Sequence, residues 1–213
     1  MSTREAVGLR AQKKLETRQA ISDHATRLFI ENGFDATTIA DIAGAARVAK
    51  MTVTNYFPRK EDLALDHADA FVASLAATVA ARSPGVSAVG ALHEAFREAL
   101  ATRNPVLGFS GEPFARMVAA SPTLVARLRE LHDKREEALA DVLAAETGAD
   151  AGDLVPKLAA AQIGGVHRAL FQELQRRTRD GEPDDAIAAA VRDSTEAAFA
   201  QLTRALGDYA VRP

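Results

Sequence analysis

The chain has 213 residues, with 26 Lys or Arg against 29 Asp or Glu, a net charge of −3 and no cysteine. A disulfide framework, a thiolate zinc site and a thiol nucleophile are therefore excluded. No apolar run reaches the length of a membrane span, and the opening MSTREAVGLRAQKK lacks a signal-peptide core, so a cytoplasmic protein without a membrane partner is expected.

A hydrophobic content of 47%, only 5% aromatic and rich in alanine, fits an all-α fold large enough to bury a sizeable core. The charge is unevenly spread. Residues 1–60 hold 10 Lys or Arg against 6 Asp or Glu, a net of +4, and the remainder holds 16 against 23, a net of −7. A basic small domain ahead of an acidic larger one suits a nucleic-acid reader with a separate regulatory body.

Residues 1–8 read as a disordered leader. A helix follows from about Leu9 to Asn32, stopped by Gly33 as its C-terminal cap. Leu15, Ile21, Ala25, Leu28 and Phe29 form its buried side. Arg10, Lys13, Lys14 and Arg18 form a basic arm able to lie along phosphates or dip into a minor groove.

The stretch from Thr37 to Lys60, TTIADIAGAARVAKMTVTNYFPRK, reads as two short helices joined by a tight turn. Thr38 opens the first with Asp41 as its capping-box partner, and Ile39, Ile42 and Ala43 form its apolar stripe. The second runs from roughly Val48 to Asn55, with Val48 and Val53 inward and Lys50, Met51 and Thr54 on one outward face. Pro58 forbids easy continuation. This is the plan of a helix-turn-helix. Lys50 offers an ammonium to guanine or phosphate, Met51 an apolar contact to a thymine methyl, and Thr54 and Asn55 donors to base edges. Thr52, Tyr56 and Lys60 suit phosphate contacts that fix register. The plain alternative is part of an all-α core with its polar residues merely solvated.

Beyond this, the pattern is of long helices with short breaks. One spans about Arg59 to Arg82, with Leu63, His67, Phe71 and Leu75 on one stripe, and the next about Val86 to Thr102. A short helix holds Phe114, Met117 and Val118. Ser121-Pro122 starts a long helix to about Glu146, with Leu124, Leu128, Leu131 and Val142 on its apolar side. Another runs from Asp153 to Arg179, carrying Leu158, Ile163, Val166, Leu170 and Leu174. Its Gly164-Gly165 pair points to a close helix contact or to ligand space. After Gly181-Glu182-Pro183 the last helix carries Ile187, Val191, Ala198, Leu202 and Leu206.

The five histidines are scattered, none in a metal-spaced pair, and no phosphate loop or nucleophile elbow appears. No catalytic residue, metal or cofactor is expected, and an enzyme is the weak hypothesis.

The residues Thr38-x-x-x-Ile42-Ala43, then Val48-x-x-x-Thr52-x-x-x-Tyr56-Phe57-Pro58-x-Lys60-Glu61-x-Leu63, with Leu28-Phe29-x-x-x-Gly33-Phe34 before them, resemble the signature of the TetR family of bacterial transcriptional regulators. The match covers about residues 10–65. Two positions depart from it: Arg47 stands where the family has a turn glycine, and Ala49 where it has Ser or Thr. Ala40 also replaces a longer DNA-contacting side chain.

The resemblance implies a three-helix helix-turn-helix domain over residues 1–58 and a helical effector-binding and dimerisation domain over 59–213. Its DNA-contacting set here is Lys13, Lys14, Thr38, Arg47, Lys50, Met51, Thr52, Thr54, Asn55, Tyr56 and Lys60. It further implies a homodimer through the last two helices, for which their wide apolar surface is independent support, and hence double-stranded DNA with a palindromic operator. A small-molecule effector in the body is implied too, with Phe96, Phe109, Phe114, Met117, Leu128, His132, Ile163, His167 and Phe171 as candidate lining. Aromatic and Met walls with two histidine handles suit an apolar or amphipathic compound, although plain core residues would look alike. The function expected is a repressor released by that effector. The rivals are a ligand-independent regulator or activator with a solid body, and a helical binding module or enzyme without DNA.

Overall fold

The computed structural model describes residues 3–212, with side chains described from Gln12 onward. Met1 and Ser2 of the expected leader, and the side chain of Arg10, lie outside the described residues. The helices are α1 (Thr3–Asn32), α2 (Ile39–Ala45), α3 (Lys50–Tyr56), α4 (Glu61–Ala64), α5 (Ala68–Ala81), α6 (Ala88–Ala101), α7 (Glu112–Ala120), α8 (Pro122–Thr147), α9 (Val155–Arg179) and α10 (Asp184–Leu206). A 3₁₀ turn, Pro105–Leu107, separates α6 from α7. Among the described residues no strand forms, and the fold is all-α.

The chain makes two compact units. The first comprises the residues up to Asp66 together with Met117–Val125; the second comprises His67–Arg116 and the residues from Ala126 on. Within the first unit α4 packs on α1, and Leu63 is completely buried.

In the first unit, Ile21, Ala25 and Phe29 of α1, Ile42 and Ala43 of α2, Val53 of α3, and Phe57 and Leu63 form the core. Gly33, at φ +88°, ends α1 by donating its amide to the Phe29 carbonyl at 2.9 Å, a backbone shape that favours glycine.

Two expectations for α1 are corrected. The helix begins at Thr3, so residues 3–8 are not an unstructured leader. Leu15 is 68% exposed rather than buried, full burial starting at Ile21. At 1.5 Å per residue α1 runs about 45 Å and the seven-residue helices about 10 Å, so its N-terminal part outruns them.

The single helix expected over 59–82 is also corrected: it breaks between α4 and α5, and His67 lies exposed rather than on the apolar stripe. The break is made by side chains of α1. Arg18 Nη2 donates to the Asp66 carbonyl at 3.1 Å, and the Ser22 hydroxyl donates to Asp66 Oδ2 at 2.6 Å and sits 3.4 Å from the Leu63 carbonyl. Carbonyls that a continuous helix would use internally are satisfied from outside.

In the second unit α10 packs on α9 and α6, and α6 on α5. Leu92, Phe96, Leu139, Leu143, Ile163, Leu174, Val191 and Phe199 form the centre of its core, and Tyr209 packs against it. Leu158 is 58% exposed, not part of the buried stripe of α9, and Leu154 and Val155 are exposed with it. At Gly164 an added Cβ would meet Glu136 Oε2 at 2.7 Å, so this glycine makes room for a close approach of α8; Gly165 faces open space.

Arg82, 5% exposed, holds the C-terminal segment in place. It donates to the carbonyls of Val79, Val86 (3.0 Å) and Ala210 (2.7 Å) and pairs with Glu146. An antiparallel bridge joins Ser87 and Val211 beside it.

Candidate nucleic-acid interface and effector site

Thr38 caps α2 as expected: its hydroxyl accepts from the Asp41 amide at 3.2 Å, and its own amide donates to Asp41 Oδ2 at 2.9 Å. The Thr38 hydrogen bonds hold the Asp41 carboxyl below its ordinary pKa, with Lys50 a smaller contributor. α2 then ends in a Schellman turn, Val48 N donating to Ala43 O at 3.0 Å and Arg47 N to Gly44 O at 3.2 Å. The left-handed residue of that turn is Arg47, at φ 54°. An L side chain there is strained, and its guanidinium is carried exposed at the entrance to α3.

α3 has no side-chain cap, since Ala49 offers no oxygen. Val53 is its completely buried residue, and Phe57 seals its end. Lys50, Met51, Thr54 and Asn55 are exposed, Met51 at 69%, and Thr52 and Tyr56 are half-buried at the flanks. The Thr54 hydroxyl donates back to the Met51 carbonyl at 3.2 Å. The outward face therefore consists of an ammonium, a thioether, a methyl-bearing hydroxyl and an amide on a short rigid helix. Such a helix fits a major groove and supplies both base-edge and phosphate chemistry.

Lys13 and Lys14 lie exposed on α1. Arg18 does not join them, because its guanidinium stacks 4.5 Å over Phe57 and is tied to Asp66. Lys60 is likewise engaged, its ammonium 4.4 Å from the Phe34 ring centroid and 3.3 Å from the Asp35 carbonyl. Both cations brace the unit, as α1, α3 and α4 need a common anchor.

In the second unit, some expected lining residues converge and others do not. Phe71, His132 and Phe171 form one aromatic group, with centroids 5.0 to 6.0 Å apart, and Phe96, His167 and Phe199 a second, 5.5 to 5.8 Å apart. His93 stacks on Phe199 at 4.6 Å. Ile163 is buried in the same core, and Leu128 is half-buried. Phe109 lies in the core with the Arg103 guanidinium 5.8 Å away, Phe114 is half-buried on α7, and Met117 belongs to the first unit. Burial pushes the His132 pKa down to about 4 and His167 well below its usual value, with the Arg135 charge second in each case. Both rings are neutral at pH 7.

The N-terminal residues 21–66 match the model of bacterial regulatory proteins of the tetR family, and residues 86–206 match that of the MftR C-terminal domain. The HTH-type transcriptional regulator TcmR of Streptomyces glaucescens is 31% identical over 178 residues, covering 81% of this chain and 79% of that protein. The chain belongs to the TetR family. It is a DNA-binding transcriptional regulator, and regulators of this family act as dimers and bind small-molecule effectors.

Solved TetR-family structures share its fold. A transcriptional regulator from Mesorhizobium loti superposes with a TM-score of 0.53 at 22% identity, covering 88% of this chain and 96% of that one. NalD of Pseudomonas aeruginosa, the secondary repressor of the MexAB-OprM multidrug efflux pump, gives 0.54 at 19% identity, covering 86% and 96%. The fatty acid degradation regulator FadR from Bacillus halodurans gives 0.52 at 19%, covering 86% and 94%.

Sequence reasoning missed Phe71, Phe199, His93, Ser74 and Arg135 in the body of this TetR-family chain. Phe71 and Phe199 were visible as apolar helix positions, but nothing in their spacing says which rings meet. A groove of about 400 Å³ between α6 and α10 is lined by Arg97, Glu98, Arg192 and Glu196 among others, and by none of the expected residues. Its charged walls do not suit an apolar effector.

Proposed function

We propose that this TetR-family regulator is a homodimeric repressor whose α3 reads a palindromic operator and which a small apolar or amphipathic effector releases. The observation that carries the reading is α3 itself, anchored by fully buried Val53 while Lys50, Met51, Thr54 and Asn55 stand uncovered. Lys13, Lys14 and Arg47 supply the phosphate contacts around it, Thr38 caps the supporting helix, and Thr52 and Tyr56 fix register. The DNA-binding domain is the first compact unit, extended past residue 58 by α4.

Dimerisation through α9 and α10 is supported by their exposed small and apolar residues. Leu154 at the start of α9, Leu158, Ala161, Gly165 and Ala169 along it, and Ala186, Ala190 and Ala197 on α10 are uncovered in one copy of the chain. The effector acts only through its preference for a conformation in which the two α3 helices no longer match their half-sites.

Selection of random duplex DNA on the protein at two salt concentrations tests this. The expected outcome is one palindrome, lost when Lys50, Met51 and Thr54 become Ala and weakened steeply by salt. Recovery of only sequence-blind, salt-labile binding would defeat the reading.

A further inference from the structure

Two arginines of the second unit, Arg82 buried and Arg135 half-buried, are held in opposite ways. Arg82 is what a structural arginine looks like: three carbonyls and the carboxylate of Glu146 satisfy it. Arg135 on α8 has one neutral partner, the Ser74 hydroxyl, to which its Nε donates at 2.9 Å, and one ring, Phe71, whose centroid lies 4.6 Å from the guanidinium. Among the described residues no carboxylate pairs with it. The nearby acids are committed elsewhere, Glu136 and Asp133 lying 3.2 Å and 3.5 Å from Arg168. Burial lowers the Arg135 pKa to about 10, with no acid opposing it. A half-buried guanidinium whose one hydrogen-bond partner is a neutral hydroxyl has donors left for an anion.

The surroundings say what that anion is attached to. His132 is 7% exposed and His167 4%, and among the described residues His132 Nε2 and both ring nitrogens of His167 have no hydrogen-bond partner. Each neutral imidazole carries one N–H donor and one acceptor nitrogen. Around them stand Phe71 and Phe171 on one side and Phe96 and Phe199 on the other. The chemistry that completes such a group is a carboxylate, which accepts two guanidinium bonds in one plane and an imidazole N–H besides, on an apolar skeleton that packs against the rings.

We infer that Arg135 anchors the carboxylate of an apolar organic acid in the body of this regulator, with His132 and His167 as its neutral polar contacts. The inference rests on the effector reading above and adds the charge and chemical class of the effector.

The test uses the full-length protein and two matched probe pairs, naphthalene-2-carboxylate with its carboxamide and decanoate with decan-1-ol, in calorimetric and thermal-shift titrations. The acids are expected to bind about tenfold or more tightly than their neutral partners. The preference disappears in Arg135→Met, is kept at least in part in Arg135→Lys, and survives Arg168→Gln. Arg135→Met without ligand is expected to melt no lower than the natural protein, because it removes a half-buried charge that no carboxylate pairs with; a purely structural arginine would give a lower melting temperature. Equal binding of acids and neutral partners overturns the carboxylate assignment and leaves an effector site standing. Binding of neither class overturns both readings. An acid preference that persists in Arg135→Met moves the anchor elsewhere and overturns the proposal.

Discussion

The His132 imidazole stands edge-on to Phe71, ring centroids 5.0 Å apart and planes at 87°. An edge contact of this kind suits a neutral ring, and protonation has no partner here. The folded-state pKa of His132 is depressed to about 4, by burial first and then by Arg135 and Arg168, and His167 is depressed as well. Unfolded histidine titrates near 6.5. The unfolded chain therefore binds more protons below that value, so this stability is complete above pH 6.5 and is lost as pH falls toward 4. Melting temperature is expected to fall from pH 7 to pH 5, and His132→Phe to flatten the slope. Glu130, held down to about 2 by Lys134 and then Arg127, and Glu173, held there by Arg176 and then Arg177, lose their contribution as pH falls below the unfolded value of 4.5, outside the pH 7 to 5 comparison.

Arg47 sits at the left-handed position of the turn between α2 and α3. Arg47→Gly is expected to stabilise the first unit by about 1 kcal/mol, the strain of an L residue being relieved against the greater freedom of glycine in the unfolded chain. Urea unfolding measures it. Operator affinity is expected to fall in the same variant, since an exposed cation beside α3 is lost; the two readouts move in opposite directions.

Truncating Arg82 takes the guanidinium away from Glu146 and from three carbonyls, of which Val86 keeps the Arg212 amide and Val79 the amide of residue 82. Arg82→Ala is expected to lower stability by about 3 kcal/mol, the usual scale for breaking a buried pair from one side. Hydrogen exchange should accelerate first at the Gly85 and Arg212 amides, which donate to Arg212 O and Val86 O at 2.9 and 3.2 Å.

Gly165 is exposed in mid-helix, and an added Cβ would meet nothing within 4 Å outside its own helix. In an isolated chain Gly165→Ala would add about 1 kcal/mol through helix propensity. Gly165→Glu is expected to convert the protein to monomers in sedimentation experiments, because a carboxylate is placed on the face proposed to meet a second copy. A Gly165→Glu protein that remains dimeric would move the interface elsewhere.

The helices and the recognition element were legible in the sequence because their signals are local. Thr38 and Asp41, Ser121 and Pro122, Gly33 and Pro183 mark helix ends within a turn of where the structure has them. The break between α4 and α5 was not legible: Arg18 and Ser22 make it from positions 48 and 44 residues away, so residues 59–82 alone read as one helix. Leu15 and Leu158 obey helical spacing and are still exposed, since periodicity tells which face is apolar and not whether anything covers it. For the candidate effector site, the pairing of Phe71 with His132 and of Phe199 with His167 was not legible, because it depends on how four helices pack.

The chain contains no tryptophan and two tyrosines, and the fold puts one in each compact unit: Tyr56 on α3 and Tyr209 against the core of the second. Its ultraviolet emission is therefore the sum of two reporters with separate addresses. Replacing Tyr209 by Phe leaves a fluorophore on the helix proposed to touch DNA, and replacing Tyr56 leaves one beside the segment that Arg82 holds. Duplex binding and unfolding of the C-terminal body can then be followed in the same cuvette without attaching a dye.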